Sequence, residues 1–265
     1  MRITAILCVR NEERHLDTTL THLVSSDIQL AIIDHDSTDA TSAIYAKYRK
    51  HIVYEAKLRY TGAFSLTEQL AAKAEAMRNI SSDWFIHQDA DEILQSPRKN
   101  ENLRDGILRS AREGFNVINF DEFVFIPGGI EDKFAYQDFY QEMLLYYFFE
   151  PKPRRLMRAW KNEPGTAQAG GGHRLRVSDL SLCPENFILR HYICLSAEHM
   201  RSKYASRVYA KEDLDKGWHG KRLNIDFERI SLPGNEQLKH LRYADDKMFD
   251  KSNPWRKHFW ETTSS

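Results

Sequence analysis

The chain has 265 residues, and its 38 Lys and Arg balance its 38 Asp and Glu. This length can bury a sizeable core in one large domain or in two modest ones. A hydrophobic fraction of 42% excludes a disordered or fibrous chain, and the balanced charge excludes a globally basic surface for nucleic acid.

We expect neither a membrane-spanning segment nor a secretory signal. The longest apolar run, residues 143–149, is far shorter than the roughly 20 residues that cross a bilayer as a helix. The opening MRITAILCVRNEE runs straight into charge, which predicts a first β-strand. Cys8, Cys183 and Cys194 lack metal-ligand spacing, so we expect reduced, buried thiols in a cytoplasmic protein.

Strand and helix signals alternate over residues 1–126. Short apolar runs predict strands over residues 3–9, 30–33, 51–54, 84–86 and 117–120. Apolar residues at helical spacing predict helices after Asn11 as a cap, over residues 40–48, after a capping box at Ser65, and around residues 103–111. This alternation predicts an α/β fold with a mostly parallel sheet and helices on both faces.

Residues 127–265 are less regular, and we treat them as a second half of one continuous domain. Residues 196–214 have the pattern of a basic amphipathic helix. The tail after about residue 253 is expected to be mobile.

The strongest chemical signal is Asp89-Ala90-Asp91, directly after the strand predicted over residues 84–86. In an open α/β sheet, ligands bind beyond the carboxyl ends of the strands. Two carboxylates at that position can share a hard divalent cation that substrate phosphates complete. The alternative is a solvated acidic turn.

A second polar segment, residues 34–39, follows the second predicted strand. Ser37 and Asp39 suit helix capping. Asp34 lies at the carboxyl end of the strand, where a carboxylate can accept hydrogen bonds from a base or a ribose.

Three ordered segments resemble family 2 glycosyltransferases of the GT-A fold: ITAILCVRNEERHLDTTL, LAIIDHDSTDAT and SDWFIHQDADEIL. Members typically show an "NEE" turn, a "DDGSTDxT" segment and a D-x-D after a later strand. The resemblance covers roughly residues 1–95. Arg10 stands where Tyr is frequent, and His35 and Asp36 replace the usual Asp-Gly pair.

The resemblance implies that residues 1–126 bind a nucleotide-sugar donor, such as a UDP- or GDP-sugar, together with Mn²⁺ or Mg²⁺. Asp34 would contact the nucleobase, Asp89 the ribose or the metal, and Asp91 the metal. Arg10 and Asn11 would flank the nucleotide. Asp36 is a further candidate contact, and Glu92 is expected to brace the loop rather than to bind metal.

The second half supplies further candidates. The resemblance implies a third metal ligand, for which His191 is the candidate, and Lys203 or Arg207 would touch the diphosphate. The catalytic base is left open between His173, which follows a glycine triplet, and the acidic residues Glu122, Asp121 and Glu142. Trp160 and Trp218 are candidate acceptor contacts. The alternatives are a core histidine, a solvated basic helix face and core aromatics.

These features together predict a metal-dependent glycosyltransferase, for which an inverting mechanism is favoured and a retaining one is left open. The acceptor would be a carbohydrate or a glycolipid, as in bacterial surface polysaccharide or glycoconjugate synthesis. We expect no nucleic-acid partner, and peripheral membrane contact is left open. The alternatives are a non-catalytic nucleotide-sugar-binding protein and a D-x-D phosphotransferase. A phosphotransferase of that type would carry the motif on its first strand, whereas here the motif follows the fourth.

Overall fold

The computed structural model describes residues 1–128, 138–151, 156–205, 207–223, 225–226 and 230–261. The chain forms two compact units. The first unit comprises Met1–Phe120 and Arg155–Ile188, and the second comprises Asp121–Arg154 and Leu189–Ser265. The first unit therefore includes a segment, 155–188, that lies outside the predicted half of residues 1–126.

Twelve strands and seven α-helices are described. The strands are β1 (Ile3–Val9), β2 (Gln29–Asp34), β3 (Ile52–Lys57), β4 (Trp84–Gln88), β5 (Glu92–Gln95), β6 (Val117–Phe125), β7 (Leu145–Phe149), β8 (Met157–Lys161), β9 (Ala167–Ala169), β10 (Arg174–Arg176), β11 (Phe187–His191) and β12 (Lys239–His240). The helices are α1 (Leu16–Ser25), α2 (Thr41–Ala46), α3 (Leu66–Asn79), α4 (Leu103–Arg112), α5 (Phe139–Glu142), α6 (Ala197–Tyr204) and α7 (Lys211–Asp215).

The sheet of the first unit has the order β6-β8-β4-β1-β2-β3. Strands β4, β1, β2 and β3 are parallel, and β8 is antiparallel to both β4 and β6. The chain runs from β1 outward to β3 and then crosses back to β4 on the other side of β1. The strand order therefore reverses at β1, which is where open α/β sheets bind ligands.

Both faces of this sheet are covered. Helix α3 packs through Ala76 on the face that carries Ile6, Ala31 and Ile33. Residues that alternate with these point to the opposite face, and Leu7 and Ile32 among them are also fully buried. The predicted α/β class with a mostly parallel sheet is therefore confirmed.

The predicted elements of residues 1–126 are found, with one wrong cap. Ser65 caps α3 as predicted, since its hydroxyl accepts the Glu68 N–H at 3.1 Å. Asn11 does not cap α1, which begins at Leu16 after His15. Asn11 instead has a left-handed backbone with φ 52°, a conformation that Asn tolerates better than most residues.

In the second unit, β7 pairs antiparallel with β12 and with β6. The helix predicted over residues 196–214 is wrong, because α6 ends at Tyr204 and α7 begins at Lys211. Tyr204 and Tyr209 are both buried. Residues five apart lie on different faces of one helix, so a break between them lets both side chains pack inward.

A mobile tail is predicted after residue 253, but residues 254–261 are held on the second unit. The Trp255 N–H donates to the Phe148 carbonyl at 2.8 Å, and Phe259 and Trp260 are buried. Aromatic burial holds this segment on the second unit. None of the cysteines forms a disulfide. Within the described ranges, no helix combines the length and hydrophobicity needed to cross a bilayer.

Candidate functional site

Three predicted site segments meet at one edge of the first unit's sheet. Val9 pairs with Asp34 across β1 and β2, and Leu7 pairs with Gln88 across β1 and β4. Because these strands are parallel, the residues that follow them emerge at the same edge. The fold therefore brings Arg10 and Asn11, the segment after Asp34, and the D-x-D motif to one place.

The turn after β1 is hydrogen-bonded to the segment after β2. The Asn11 side chain accepts the Thr38 N–H at 2.8 Å. The Glu12 N–H donates to the Thr41 hydroxyl at 2.8 Å, and the Glu13 carboxylate accepts the Ala40 N–H at 3.0 Å. In this chain the N-E-E turn and the D-S-T-D-A-T segment therefore hold each other in place through hydrogen bonds.

Asp34, the predicted nucleobase contact, is buried, with 1% of its surface exposed. One carboxylate oxygen accepts the Ser37 N–H at 2.9 Å, and the other accepts the Tyr45 hydroxyl at 3.3 Å. Burial, with Asp34 adding to it, raises the pKa of Tyr45 to about 12, so the hydroxyl remains a donor. Asp34 therefore shapes this loop, and its contact with a base stays a prediction.

Arg10 and Asp36 lie beside Tyr60. The Arg10 guanidinium carbon lies 3.6 Å from the centre of the Tyr60 ring, and Arg10 donates to the carbonyls of His35 and Asp36. The Asp36 carboxylate accepts the Tyr60 N–H at 2.8 Å. Arg10 is thus held over an aromatic ring, an arrangement that suits the edge of a nucleotide site.

Asp89, the first carboxylate of the D-x-D motif, is held by two cations. Arg158 Nη2 lies 3.1 Å from Asp89 Oδ2, and Lys73 Nζ lies 3.5 Å from Oδ1. Partial burial alone would raise the pKa of Asp89, but the charges of Arg158 and Lys73 outweigh it and hold that pKa well below its usual range. The side chain is still 42% exposed, so this ionised carboxylate remains open to a ligand.

Arg158 also holds the residue that follows the motif. Its Nη2 lies 2.5 Å from Glu92 Oε1, and both side chains are buried. Glu92 therefore ties the loop to β8, in agreement with the expectation that it braces the loop. Asp91, the second carboxylate of the motif, is 8% exposed.

Two further polar side chains are buried next to the motif. Lys73 on α3 is 3% exposed, and its Nζ lies 3.1 Å from His87 Nε2. Burial, with Lys73 and Arg158 adding to it, lowers the pKa of His87 to about 3, so the imidazole is neutral at pH 7. Sequence reasoning missed Lys73, His87 and Arg158; the one available signal was a histidine inside an otherwise apolar strand.

The donor set fits a cation that arrives with phosphate oxygens. Among the residues that the structure describes, no three His, Cys, Asp or Glu side chains are grouped to hold a metal by themselves. Asp89 has two cationic partners, and the role of Asp91 as a metal ligand stays a prediction. Mg²⁺ characteristically binds one or two carboxylates, and phosphates and water complete its shell.

The glycine triplet forms the turn of the β9–β10 hairpin in the first unit. Gly170, Gly171 and Gly172 all have positive φ, which favours glycine. A Cβ on Gly172 would lie 2.8 Å from His87 Cε1, so the turn contacts the strand that carries the D-x-D motif. His173 is exposed in this turn. Its role as a base stays a prediction.

The remaining candidates are placed as follows. In the second unit, His191 Nδ1 lies 2.7 Å from Glu122 Oε1, so the predicted metal ligand and the predicted base contact each other. Lys203 is on α6 and Arg207 follows that helix, and both flank the Tyr204 ring. The prediction that Trp160 contacts the sugar acceptor is wrong, because Trp160 is buried in the core of the first unit.

Comparison with known proteins supports the resemblance over the N-terminal part. Residues 4–104 match the family described as Glycosyl transferase family 2. An uncharacterized glycosyltransferase of Rickettsia conorii is 27% identical over 100 residues, which are 38% of this chain and 32% of that protein. The match thus spans about a third of that relative.

Two solved structures are similar to this chain at low identity. S. aureus TarS 1–349 in complex with UDP has a TM-score of 0.41 and 13% identity, over 84% of this chain and 71% of that chain. Glucosyl-3-phosphoglycerate synthase of Mycobacterium tuberculosis, with Mn²⁺, UDP and phosphoglyceric acid, has a TM-score of 0.30 and 17% identity, over 46% and 43%. The match to Glycosyl transferase family 2 is thus confined to residues 4–104, the part of the chain that carries the three motifs.

Proposed function

We propose that this protein is a glycosyltransferase that moves a sugar from a nucleotide-sugar donor to a hydroxyl acceptor. The observation that carries the proposal is the convergence of the three family segments at the reversal point of the sheet. The match to Glycosyl transferase family 2 over residues 4–104 covers all three segments except Ile3. A UDP- or GDP-sugar donor and a carbohydrate or glycolipid acceptor are the proposed substrates.

The donor would lie along the carboxyl edge of β2, β1 and β4. The nucleoside would lie near Arg10, Asn11 and Asp36, with Asp34 as the candidate base contact. Asp89 would accept a hydrogen bond from a ribose hydroxyl, because its carboxylate is ionised, accessible and already fixed by Lys73 and Arg158. This assignment favours ribose over metal for Asp89.

Asp91 would hold Mn²⁺ or Mg²⁺ together with the diphosphate. When bound, such a cation stabilises the charge on the departing diphosphate. Because the protein supplies few ligands, we expect the cation and the nucleotide each to bind more tightly when the other is present. His191 remains a candidate third ligand, and Lys203 a candidate diphosphate contact.

In the proposed reaction, a base removes the proton of the acceptor hydroxyl. The hydroxyl oxygen then bonds to the anomeric carbon as the bond to the diphosphate breaks. His173 and Glu122 are the candidate bases. Separate His173→Ala and Glu122→Gln variants would identify the base as the one whose loss lowers kcat by about 100-fold or more, the usual scale for general-base catalysis.

A thermal-shift panel tests donor binding. UDP-, GDP-, CMP- and dTDP-sugars are compared in Mn²⁺ and in EDTA, because a ligand that binds only the folded state raises its apparent stability. We expect one nucleotide to raise Tm in Mn²⁺ and to act more weakly in EDTA. Asp91→Asn should remove this Mn²⁺ dependence. Equal Tm shifts in EDTA and Mn²⁺ for the wild type would contradict the cation role.

A further inference from the structure

A line of polar contacts runs from the β9–β10 hairpin to the D-x-D motif. The side-chain amide of Gln168, on β9, lies 2.6 Å from His87 Nδ1. Lys73 Nζ lies 3.1 Å from His87 Nε2 and 3.5 Å from Asp89 Oδ1. Lys73 and His87 are buried, so water does not compete for their contacts. We call Gln168, His87, Lys73 and Asp89 the carboxylate relay.

The protons of the relay can be assigned by counting donors and acceptors. Burial lowers the pKa of Lys73, and the Asp89 carboxylate opposes that shift. As an ammonium, Lys73 has three N–H groups and three acceptors, which are His87 Nε2, the Gln88 carbonyl at 3.4 Å and Asp89 Oδ1. His87 Nε2 also lies 3.4 Å from Asp89 Oδ1, but a nitrogen that accepts from the Lys73 ammonium carries no proton. The proton of the neutral His87 ring is therefore assigned to Nδ1. His87 therefore donates to Gln168.

This assignment also decides the orientation of the Gln168 amide. With the amide nitrogen toward His87, Gln168 Oε1 is buried without a hydrogen-bond partner. Turning the amide gives the His87 Nδ1–H an acceptor in Oε1, and the amide nitrogen then takes the position at which Oε1 has no partner. The oxygen and nitrogen of an amide are distinguished by such networks.

We propose that Lys73 is the positioning residue that fixes Asp89 for donor binding, and that the β9–β10 hairpin acts on Lys73 through Gln168 and His87. The proposal rests on the proposed function, since it concerns Asp89 as a residue that contacts the nucleotide-sugar. Undocking of the hairpin would leave the buried His87 Nδ1–H without its acceptor. The imidazole and the Lys73 ammonium would then lose their fixed orientation.

The relay explains why the hairpin turn is built from glycine. Gly172 approaches His87 so closely that a Cβ would contact the ring at 2.8 Å. This approach lets Gln168 of the same hairpin reach His87 Nδ1. The hairpin also carries His173, so its position and the donor-binding carboxylate are linked through one chain of contacts.

The experiment is calorimetric titration of UDP and GDP into the full chain in the presence of Mn²⁺. The variants are Lys73→Met, Gln168→Met, Asp89→Asn and the double variant of Lys73→Met with Asp89→Asn. Lys161→Met, at an exposed lysine of β8, is the matched control. Thermal unfolding of each variant establishes that it is folded.

We expect Lys73→Met to weaken nucleotide binding about tenfold, which corresponds to about 1.4 kcal/mol. Gln168→Met should weaken it about threefold, and Lys161→Met should leave it unchanged. In the Asp89→Asn background, Lys73→Met should have no further effect, because a positioning residue acts through its partner. A general structural role would give the same loss in both backgrounds.

A second readout is the imidazole ¹⁵N spectrum of His87, which distinguishes the Nδ1–H from the Nε2–H tautomer. We expect Nδ1–H in the wild type. An Nε2–H tautomer, or an unchanged affinity in Lys73→Met, would overturn the relay alone. A wild type that binds neither UDP nor GDP would overturn the proposed function as well. If Lys73→Met fails to fold, Gln168→Met and the tautomer decide the question.

Discussion

The Asp89 carboxylate shows how burial and charge compete at this site. Burial disfavours its ionised form, but the Arg158 guanidinium and the Lys73 ammonium outweigh burial and keep its pKa low. Glu92 is buried beside the same guanidinium. The two cations thus offset two of the three acidic groups at the end of β4, which makes binding of an anionic diphosphate easier.

Asp34 combines a structural and a proposed binding role. Asp34→Ala leaves the Ser37 N–H and the Tyr45 hydroxyl without their acceptor. We expect it to lower the free energy of unfolding by about 1–3 kcal/mol, the cost of unmade buried hydrogen bonds, and to weaken donor binding. Chemical denaturation and calorimetry measure the two effects.

Tyr45→Phe is the control for Asp34, because it removes one hydrogen bond and keeps the carboxylate. We expect this variant to lose stability and to bind the donor normally. If Asp34→Ala is destabilised but binds the donor like the wild type, Asp34 has only a structural role.

At the scale of elements, the β9–β10 turn is held close to β4. Gly172→Ala places a Cβ 2.8 Å from His87 at φ +84°. Gly165→Ala is the matched control, because Gly165 has φ +81° and an added Cβ there would meet nothing within 4 Å. In both variants the positive φ should lower the free energy of unfolding by about 1 kcal/mol, because alanine is strained in that backbone conformation. Gly172→Ala should lower the free energy of unfolding further, because its Cβ meets His87. An equal decrease for the two variants in chemical denaturation would contradict the close contact between residue 172 and His87.

Local signals predicted several elements correctly. Ser65 with Glu68 marks the start of α3, and the apolar run from Trp84 marks β4. The failures have physical causes. The left-handed conformation of Asn11 depends on bonds to residues 37 and 38, which lie far along the chain. Strand β8 lies in a basic stretch, and nothing local shows that Arg158 pairs with buried carboxylates.

At the scale of the whole molecule, the first unit depends on two distant segments. Strand β8 lies between β4 and β6 in the sheet, although it follows both in the chain. The order of elements in residues 1–126 could be predicted from the sequence, but the insertion of β8 between β4 and β6 could not. It predicted the acidic half of the D-x-D site, whereas the cations that balance it come from α3 and β8.

A fragment of residues 1–126 should therefore fold poorly. It lacks β8, so β4 and β6 lose their shared neighbour and Glu92 loses its partner Arg158. We expect circular dichroism to show no cooperative thermal transition for this fragment, in contrast to the full chain. A sharp transition that matches the full chain would mean that residues 1–126 form an autonomous domain.

The most direct test of the glycosyltransferase assignment is release of nucleoside diphosphate from the donor identified by thermal shift. The measurement compares the full chain, its Asp91→Asn variant and a no-enzyme control in Mn²⁺, with simple sugars and glycolipids as acceptors. We expect release by the wild type that rises with acceptor and is lost in Asp91→Asn. Tight donor binding without any release above the no-enzyme control would contradict catalysis and indicate a non-catalytic nucleotide-sugar-binding protein.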